Sequence, residues 1–281
     1  MVSKSDPSNP TRIVGKGVQR IDGAERVMGT AKYGADLSLP NTLHAKIKRS
    51  PHANARISKI SIEKAIAIPG VVAIVTSKDF PIIEFSDQVV GGEITMTPRD
   101  QRRMQLAEDK VFYHGHAVAA VEATSLEIAE FATESIDVEY EVFDPVVNVE
   151  EAVKENAPLV HDDLYTWEFA GSLSDKPSNV ARRVELSRGD PAEAFKNSDI
   201  IIERRFEGGT VHQGYIEPQA CTVDIVDDHL TVHTSSQINF NLRDTLATIL
   251  GRDKEAITVV PLEIGGGFGG KAGLGLSLIH I

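Results

Sequence analysis

The chain has 281 residues, 41% hydrophobic and 25% charged, enough apolar material for about two globular domains without a disulfide or metal staple. Asp and Glu number 41 against 29 Lys and Arg, a net charge of −12 that argues against nucleic acid or an anionic membrane surface as the main partner. The single cysteine, Cys221, excludes an intrachain disulfide, a cysteine zinc site and an iron–sulfur cluster held by this chain alone.

In chain order, residues 1–14 read as a flexible polar tail with no signal-peptide pattern. No run of about 18 apolar residues follows anywhere, so the expectation is a soluble, cytoplasmic protein without a membrane partner. Residues 15–145 carry two strand–helix–strand units and read as one α/β domain. The first has strands at 43–50 and 56–61, a short helix at 62–68 stopped by Pro69-Gly70, and a strand at 71–76. Residues 80–103 show no sustained period and read as a long excursion. The second unit has strands at 111–113 and 117–123 and a helix through Leu126, Ala129 and Thr133. Thr124 is its expected cap, with Glu127 three residues on, and a strand at 136–142 follows.

Residues 146–179 read as a connector without regular elements, and a second region opens near Val180. Asp190-Pro191-Ala192-Glu193 is a helix start, with Asp as cap and Pro at the first helical position. Strands are predicted at 200–206, 220–226 and 230–234, with Asp227-Asp228 turning between the last two. Cys221, inside the strand-like run 219–226, reads as an inert buried thiol. A helix at 241–250 ends at Gly251, and a strand at 257–264 runs into glycine-rich sequence.

That sequence is Gly265-Gly266-Gly267-Phe268-Gly269-Gly270-Lys271. So many glycines cost backbone entropy, and the return is a loop whose amides can lie directly against a ligand. Three readings compete. A dinucleotide fingerprint needs a helix start after the loop, and Ala272-Gly273-Leu274-Gly275 is a poor one. A phosphate-binding loop from Gly265 to Lys271 needs a hydroxyl at position 272 to reach magnesium, and Ala272 has none.

The third reading rests on an ordered set of short stretches. They are Gly29-Thr30-Ala31-Lys32-Tyr33 with Ala35-Asp36, Arg49-Ser50-Pro51-His52-Ala53, and Asp109-Lys110-Val111 through Val118-Ala119-Ala120-Val121. Val138-Glu139-Tyr140, Gly189-Asp190, Glu217-Pro218, Ser235-Ser236-Gln237 and the 266–271 loop complete it. In this order they resemble the molybdopterin-binding large subunit of the xanthine dehydrogenase/aldehyde oxidase family. The likeness is to bacterial separate-subunit members such as carbon monoxide dehydrogenase and hydroxybenzoyl-CoA reductase.

The resemblance implies a fold and a chemistry. The fold would be an α/β (α+β) hammerhead domain over 15–145, then the first part of a molybdenum-cofactor-binding domain over 180–275. The chemistry would be hydroxylation of an aldehyde, N-heterocycle or related electron-poor carbon with water as oxygen source, an oxidoreductase activity. Gln237 matches the family glutamine that donates to an oxo ligand of molybdenum, a role an uncharged amide fills without displacing the ligand. Gly266, Gly267, Phe268, Gly269 and Gly270 match the loop lining the metal centre, where Phe268 would keep water from one side.

The cofactor implied is molybdopterin with molybdenum, in its cytosine dinucleotide form. The metal would hang from the pterin, with no direct protein ligand. The [2Fe-2S] and FAD centres would sit on partner subunits, forming a heterotrimer or its dimer. The family's catalytic base is expected beyond residue 281, so no catalytic residue is assigned here and this segment alone is expected to be inactive. Ala272 stands where xanthine-oxidising relatives carry a glutamate, which disfavours purine substrates. The alternative from another class is a non-catalytic module that binds a nucleotide or an assembly partner through its glycine loop.

The remaining polar groups read as structural. His114 and His116 have H-x-H spacing without a third ligand nearby and are expected to be surface histidines. His161-Asp162-Asp163 reads as a solvated charge cluster. His212 and Glu217 could form an acid–base pair but are read as structural, and Arg204-Arg205 as one exposed and one core-edge stem. Finally, Leu276-Ser277-Leu278-Ile279-His280-Ile281 is what CTG TCT CTT ATA CAC ATC encodes, the mosaic end of transposon-based sequencing adaptors. Residues 276–281 are therefore expected to be a non-native tail after Gly275.

Overall fold

The computed structural model describes residues 17–83, 97–168 and 171–273. The 1–14 tail and the 276–281 hexapeptide lie outside them, as does most of the 80–103 excursion. A short helix, α1 (Gly23–Met28), ends at left-handed Gly29 and is followed by a 3-10 turn at Gly34–Asp36. Next come β1 (His44–Arg49), β2 (Ala55–Ser61), α2 (Glu63–Ile66) and β3 (Val71–Thr76). The first region continues through α3 (Pro98–Gln105), β4 (Lys110–Val111), β5 (Ala117–Ala123), α4 (Leu126–Glu134) and β6 (Asp137–Val142).

Two three-stranded antiparallel sheets organise it. β5 lies between β1 and β3, and β2 lies between β4 and β6. β5 is almost wholly small and apolar, so it can be covered on both faces. Its alternation sends Ala119 and Val121 toward Ala65, Ala132 and Ile136, and Val118 toward Ala55, Ala107 and Val111.

The connector has more structure than its composition suggests. It holds α5 (Val149–Ala152) and a hairpin of β7 (Tyr165–Trp167) and β8 (Leu173–Pro177), where Thr166 Oγ1 donates to Val180 O at 2.7 Å. Its His161-Asp162-Asp163 cluster is docked on the first region, with Asp162 still exposed to solvent and His161 and Asp163 partly buried. Asp163 accepts from Arg103 at 2.8 and 3.0 Å, Asp162 accepts from Lys110 at 3.1 Å, and His161 stacks on Phe112 with centroids 4.1 Å apart. Arg103 comes from α3, which the excursion reading missed. Thr97-Pro98 with Asp100 is a capping box, Thr97 Oγ1 accepting from Asp100 N at 3.1 Å.

The second region holds α6 (Pro191–Lys196), β9 (Cys221–Val226), β10 (His229–Thr234), α7 (Asn239–Leu250) and β11 (Ile257–Pro261). Asp190 caps α6 by accepting from Glu193 N at 2.9 Å, and Asp227 and Asp228 turn between β9 and β10 with φ of 48° and 66°. β10 pairs antiparallel with β9 and parallel with β11, with α7 as the crossover. Leu242, Leu246 and Ile249 of α7 cover Leu230, Val232 and Ile257. Cys221 is half-buried at the edge of this core rather than fully enclosed.

Further expectations are overturned in the second region and at α4. Residues 200–206 form no strand: Ile200, Ile201, Ile202 and Phe206 are all exposed and find no ladder among the described residues. Without a ladder the alternation argument for Arg204 and Arg205 fails, and both are exposed, Arg205 pairing with Glu150 at 2.6 Å. The cap of α4 is Ser125, which accepts from Ile128 N at 3.3 Å, in place of Thr124.

Candidate functional site

The parallel pairing of β10 and β11 puts the carboxyl ends of both strands at the same edge, the usual place for a ligand in a β–α–β unit. Gln237 follows β10 after buried Ser235 and Ser236, and the glycine loop follows β11, so residues thirty positions apart in sequence meet there. The Gln237 side-chain oxygen accepts from the amides of Gly269 (3.1 Å) and Lys271 (3.2 Å), and its backbone N–H donates to Lys271 O at 3.0 Å. Both partners of that oxygen are donors, which fixes the amide's orientation. Its nitrogen, with two N–H groups, has no partner among the described residues, and Gln237 is exposed.

The loop glycines fall into two kinds. At Gly265, Gly267 and Gly270 a side chain would collide: an added Cβ would lie 2.6 Å from Glu217 Cβ, 2.6 Å from Gln237 Oε1 and 2.7 Å from Tyr215 Cε1 respectively. Gly266 and Gly269 are required by backbone shape, with φ of 94° and 89°. Phe268 shares the left-handed region at φ 49° and stands 74% exposed, its ring over Gly266. The amides of Gly266, Gly267 and Phe268 have no acceptor among the described residues. Three consecutive unused N–H groups in a glycine-rich loop are available as donors to an electron-rich ligand.

Glu217 and Lys271 lock the loop from beneath. Lys271 is 3% exposed, its Nζ 2.5 Å from Glu217 Oε2 and 5.0 Å from the centre of the Tyr215 ring. Glu217 also accepts from Gly265 N at 2.6 Å and Gly34 N at 3.3 Å. Desolvation pushes its carboxyl upward, but the donors from Lys271, Gly265 and Gly34 outweigh it and hold it below the ordinary value. A lysine spent on a buried carboxylate cannot also neutralise a nucleotide phosphate, which closes the phosphate-loop reading. No local pattern marks this pair, whose members are 54 positions apart.

The other candidates separate. His212 Nδ1 accepts from Gly214 N at 3.0 Å and its ring lies against Tyr215, away from any role as partner to Glu217. His114 is exposed whereas His116 is fully buried, its Nδ1 accepting from Phe112 N at 3.2 Å, so the H-x-H pair points two ways and His116 is no surface residue. Burial pushes His116 and His161 down to about 4, and the neighbouring Arg103 charge adds to the effect at His161. No group of three or more metal-ligating side chains occurs among the described residues. Nor, among them, is any helix long and apolar enough to cross a membrane.

Comparison with known proteins gives this geometry a context. Residues 28–144 match the family model "Aldehyde oxidase and xanthine dehydrogenase, a/b hammerhead domain", and residues 173–279 match "Molybdopterin cofactor-binding domain". The Escherichia coli (strain K12) protein named "Probable hypoxanthine oxidase XdhD" is 33% identical over 92% of this chain and 29% of its own length. The nicotinate dehydrogenase large molybdopterin subunit of Eubacterium barkeri is 31% identical over 94% of this chain and 56% of its own. Quinoline 2-oxidoreductase from Pseudomonas putida 86 superposes with a TM-score of 0.76 at 30% identity, over 92% of this chain and 31% of that one. The chain thus spans between 29% and 56% of the length of these relatives.

Proposed function

The chain belongs to the aldehyde oxidase and xanthine dehydrogenase family, and we propose that it is part of the molybdopterin-binding large subunit of a molybdenum hydroxylase. Its substrate would be an aldehyde, an N-heterocycle or a related electron-poor carbon. The observation that carries this reading is the paired set of unused donors at one strand edge: the amides of 266–268 and the Gln237 amide nitrogen. These residues fit a molybdenum–pterin group, which brings oxo and sulfur acceptors and its own metal ligation, so a site rich in neutral donors and poor in ligating side chains suits it.

When bound, the group supplies two-electron oxidation of the substrate carbon. The chain's own residues hold and shield it. Gln237 donates one N–H toward an acceptor atom of the group while its oxygen fixes the loop. Gly266, Gly267, Phe268 and Gly269 give the loop its shape and its free amides, and Gly270 lets Tyr215 close beneath. The Phe268 ring excludes water from one side of the centre. Ala272 offers no charge to a substrate, which favours a non-purine ring or an aldehyde.

Electrons would leave through [2Fe-2S] and FAD centres, which this reading assigns to companion subunits. The pterin would carry a cytosine dinucleotide, and the assembly would be cytoplasmic. The test is turnover by the complete subunit with its companions on a panel of aldehydes and N-heterocycles in isotopically labelled water. Product oxygen derived from water supports the reading. Folded, metal-loaded enzyme with no turnover on any member contradicts it.

A further inference from the structure

Glu217 sits where three stretches of chain meet. Its Oε2 receives Lys271 Nζ and the Gly265 amide, and its Oε1 receives the amide of Gly34 from the turn ahead of β1. The side chains of Glu217 and Lys271 are 11% and 1% exposed, so both charges are nearly withdrawn from water. Such a pair is stable only while both members remain, since one left alone is an uncompensated buried charge. The sequence also clears space for it. A Cβ on Gly265 would strike Glu217, and one on Gly34 would press on Ala220 at 3.2 Å. Around the same point Glu263 bridges to Tyr33, donates its amide to Lys32 O at 3.1 Å and pairs with Arg26.

Lys271 passes this constraint on. Its backbone N–H and C=O are both bonded to Gln237, one to the side-chain oxygen and one to the backbone nitrogen. Anything that moves Lys271 therefore turns the Gln237 amide. Resting on the cofactor reading above, we propose that Glu217 is a positioning residue. Its carboxylate fixes Lys271 and Gly265, sets the direction of the Gln237 donor through the Lys271 backbone, and ties that setting to the N-terminal α/β region through Gly34.

The experiment compares wild-type complete subunit, in its complex, with Glu217→Gln, Glu217→Asp and the double variant Glu217→Gln/Lys271→Met. The readouts are peptide-resolved hydrogen exchange and the paramagnetic resonance spectrum of the molybdenum centre. Glu217→Gln is expected to raise exchange about tenfold or more in peptides spanning 265–271 and 33–36 together, leaving β2, β5 and β6 protected. It is also expected to change the spectrum. Glu217→Asp, one methylene shorter, should recover part of the loss. Should the single variant fail to fold, the double variant removes both buried charges, and it should fold while its loop still exchanges fast.

Exchange unchanged at both peptides, or raised evenly over the whole molecule, overturns the proposal. The cofactor reading fails separately: wild-type protein with the expected exchange pattern but no molybdenum would sink it and leave the junction standing.

Discussion

Val71–Thr76 and residues 200–206 are both apolar runs, and they behave oppositely. The first lies in a sheet beside β5, with Val71, Ile74 and their neighbours packed on Ala119, Val121 and Ile136. The second leaves Ile200, Ile201, Ile202 and Phe206 in solvent, from 59% to 91% exposed. Strand propensity is the same kind of signal in both. What differs is an available edge: β5 gives β3 a ladder and a face, and no described strand does that for 200–206. A strand is a property of a pair, and apolar propensity without a partner edge does not make one.

The largest effect should come from the paired side of this contrast. Leu246 is fully buried on the crossover helix that holds β10 parallel to β11. Leu246→Ala should cost about 2–5 kcal/mol by denaturant titration, whereas a loss under about 0.5 kcal/mol would mean that α7 does not carry the sheet.

Next comes acid. His116 and His161 are held down to about 4 in the folded chain against an ordinary 6.5, so between those values the unfolded chain binds more protons. Their contribution is complete above pH 6.5 and is lost as pH falls toward 4. Stability should drop by roughly 3 kcal/mol in total between pH 6.5 and 5, and His161→Phe should flatten about half of that slope. A slope unchanged in the variant would show that His161 is not docked on Phe112.

Within the loop, Gly267→Ala drives a Cβ into Gln237 and should cost about 1–3 kcal/mol together with cofactor retention. Gly273→Ala meets nothing within 4 Å and should be neutral by thermal melting. Equal effects at the two positions would contradict the division of the glycines. Smallest of all, Ile201→Ser on the bare run should change stability by no more than about 0.5 kcal/mol. A larger loss would show that the run is packed after all.

These residues also show what a single sequence reveals. The paired strands were legible because alternation and turn chemistry act locally: Asp227-Asp228, the Asp190 cap and left-handed Gly251 all stand as read. α3 is missed by periodicity, because polar Arg99, Arg102 and Arg103 hide its helical face, although Thr97, Pro98 and Asp100 carry a local start signal. Residues 200–206 could not be read correctly from propensity, because pairing is decided elsewhere in the chain. At the candidate site the glycine loop announced itself by composition, and Gln237 by resemblance. Glu217 and Lys271 did not, since an ion pair across 54 positions leaves no local pattern. His116 escapes local reading for a related reason: spacing shows two histidines but not that the strand entry turns one inward.

On the proposed function, the edge formed by Gln237 and the 265–271 loop holds a molybdenum–pterin group. The most direct measurement is the molybdenum and pterin content of the complete subunit, purified folded and in complex, for wild type and for Gly267→Ala. Equimolar metal and pterin are expected in the wild type, with a marked loss of both in the variant. Folded wild-type protein free of both, or a variant that retains them in full, would contradict the proposed function.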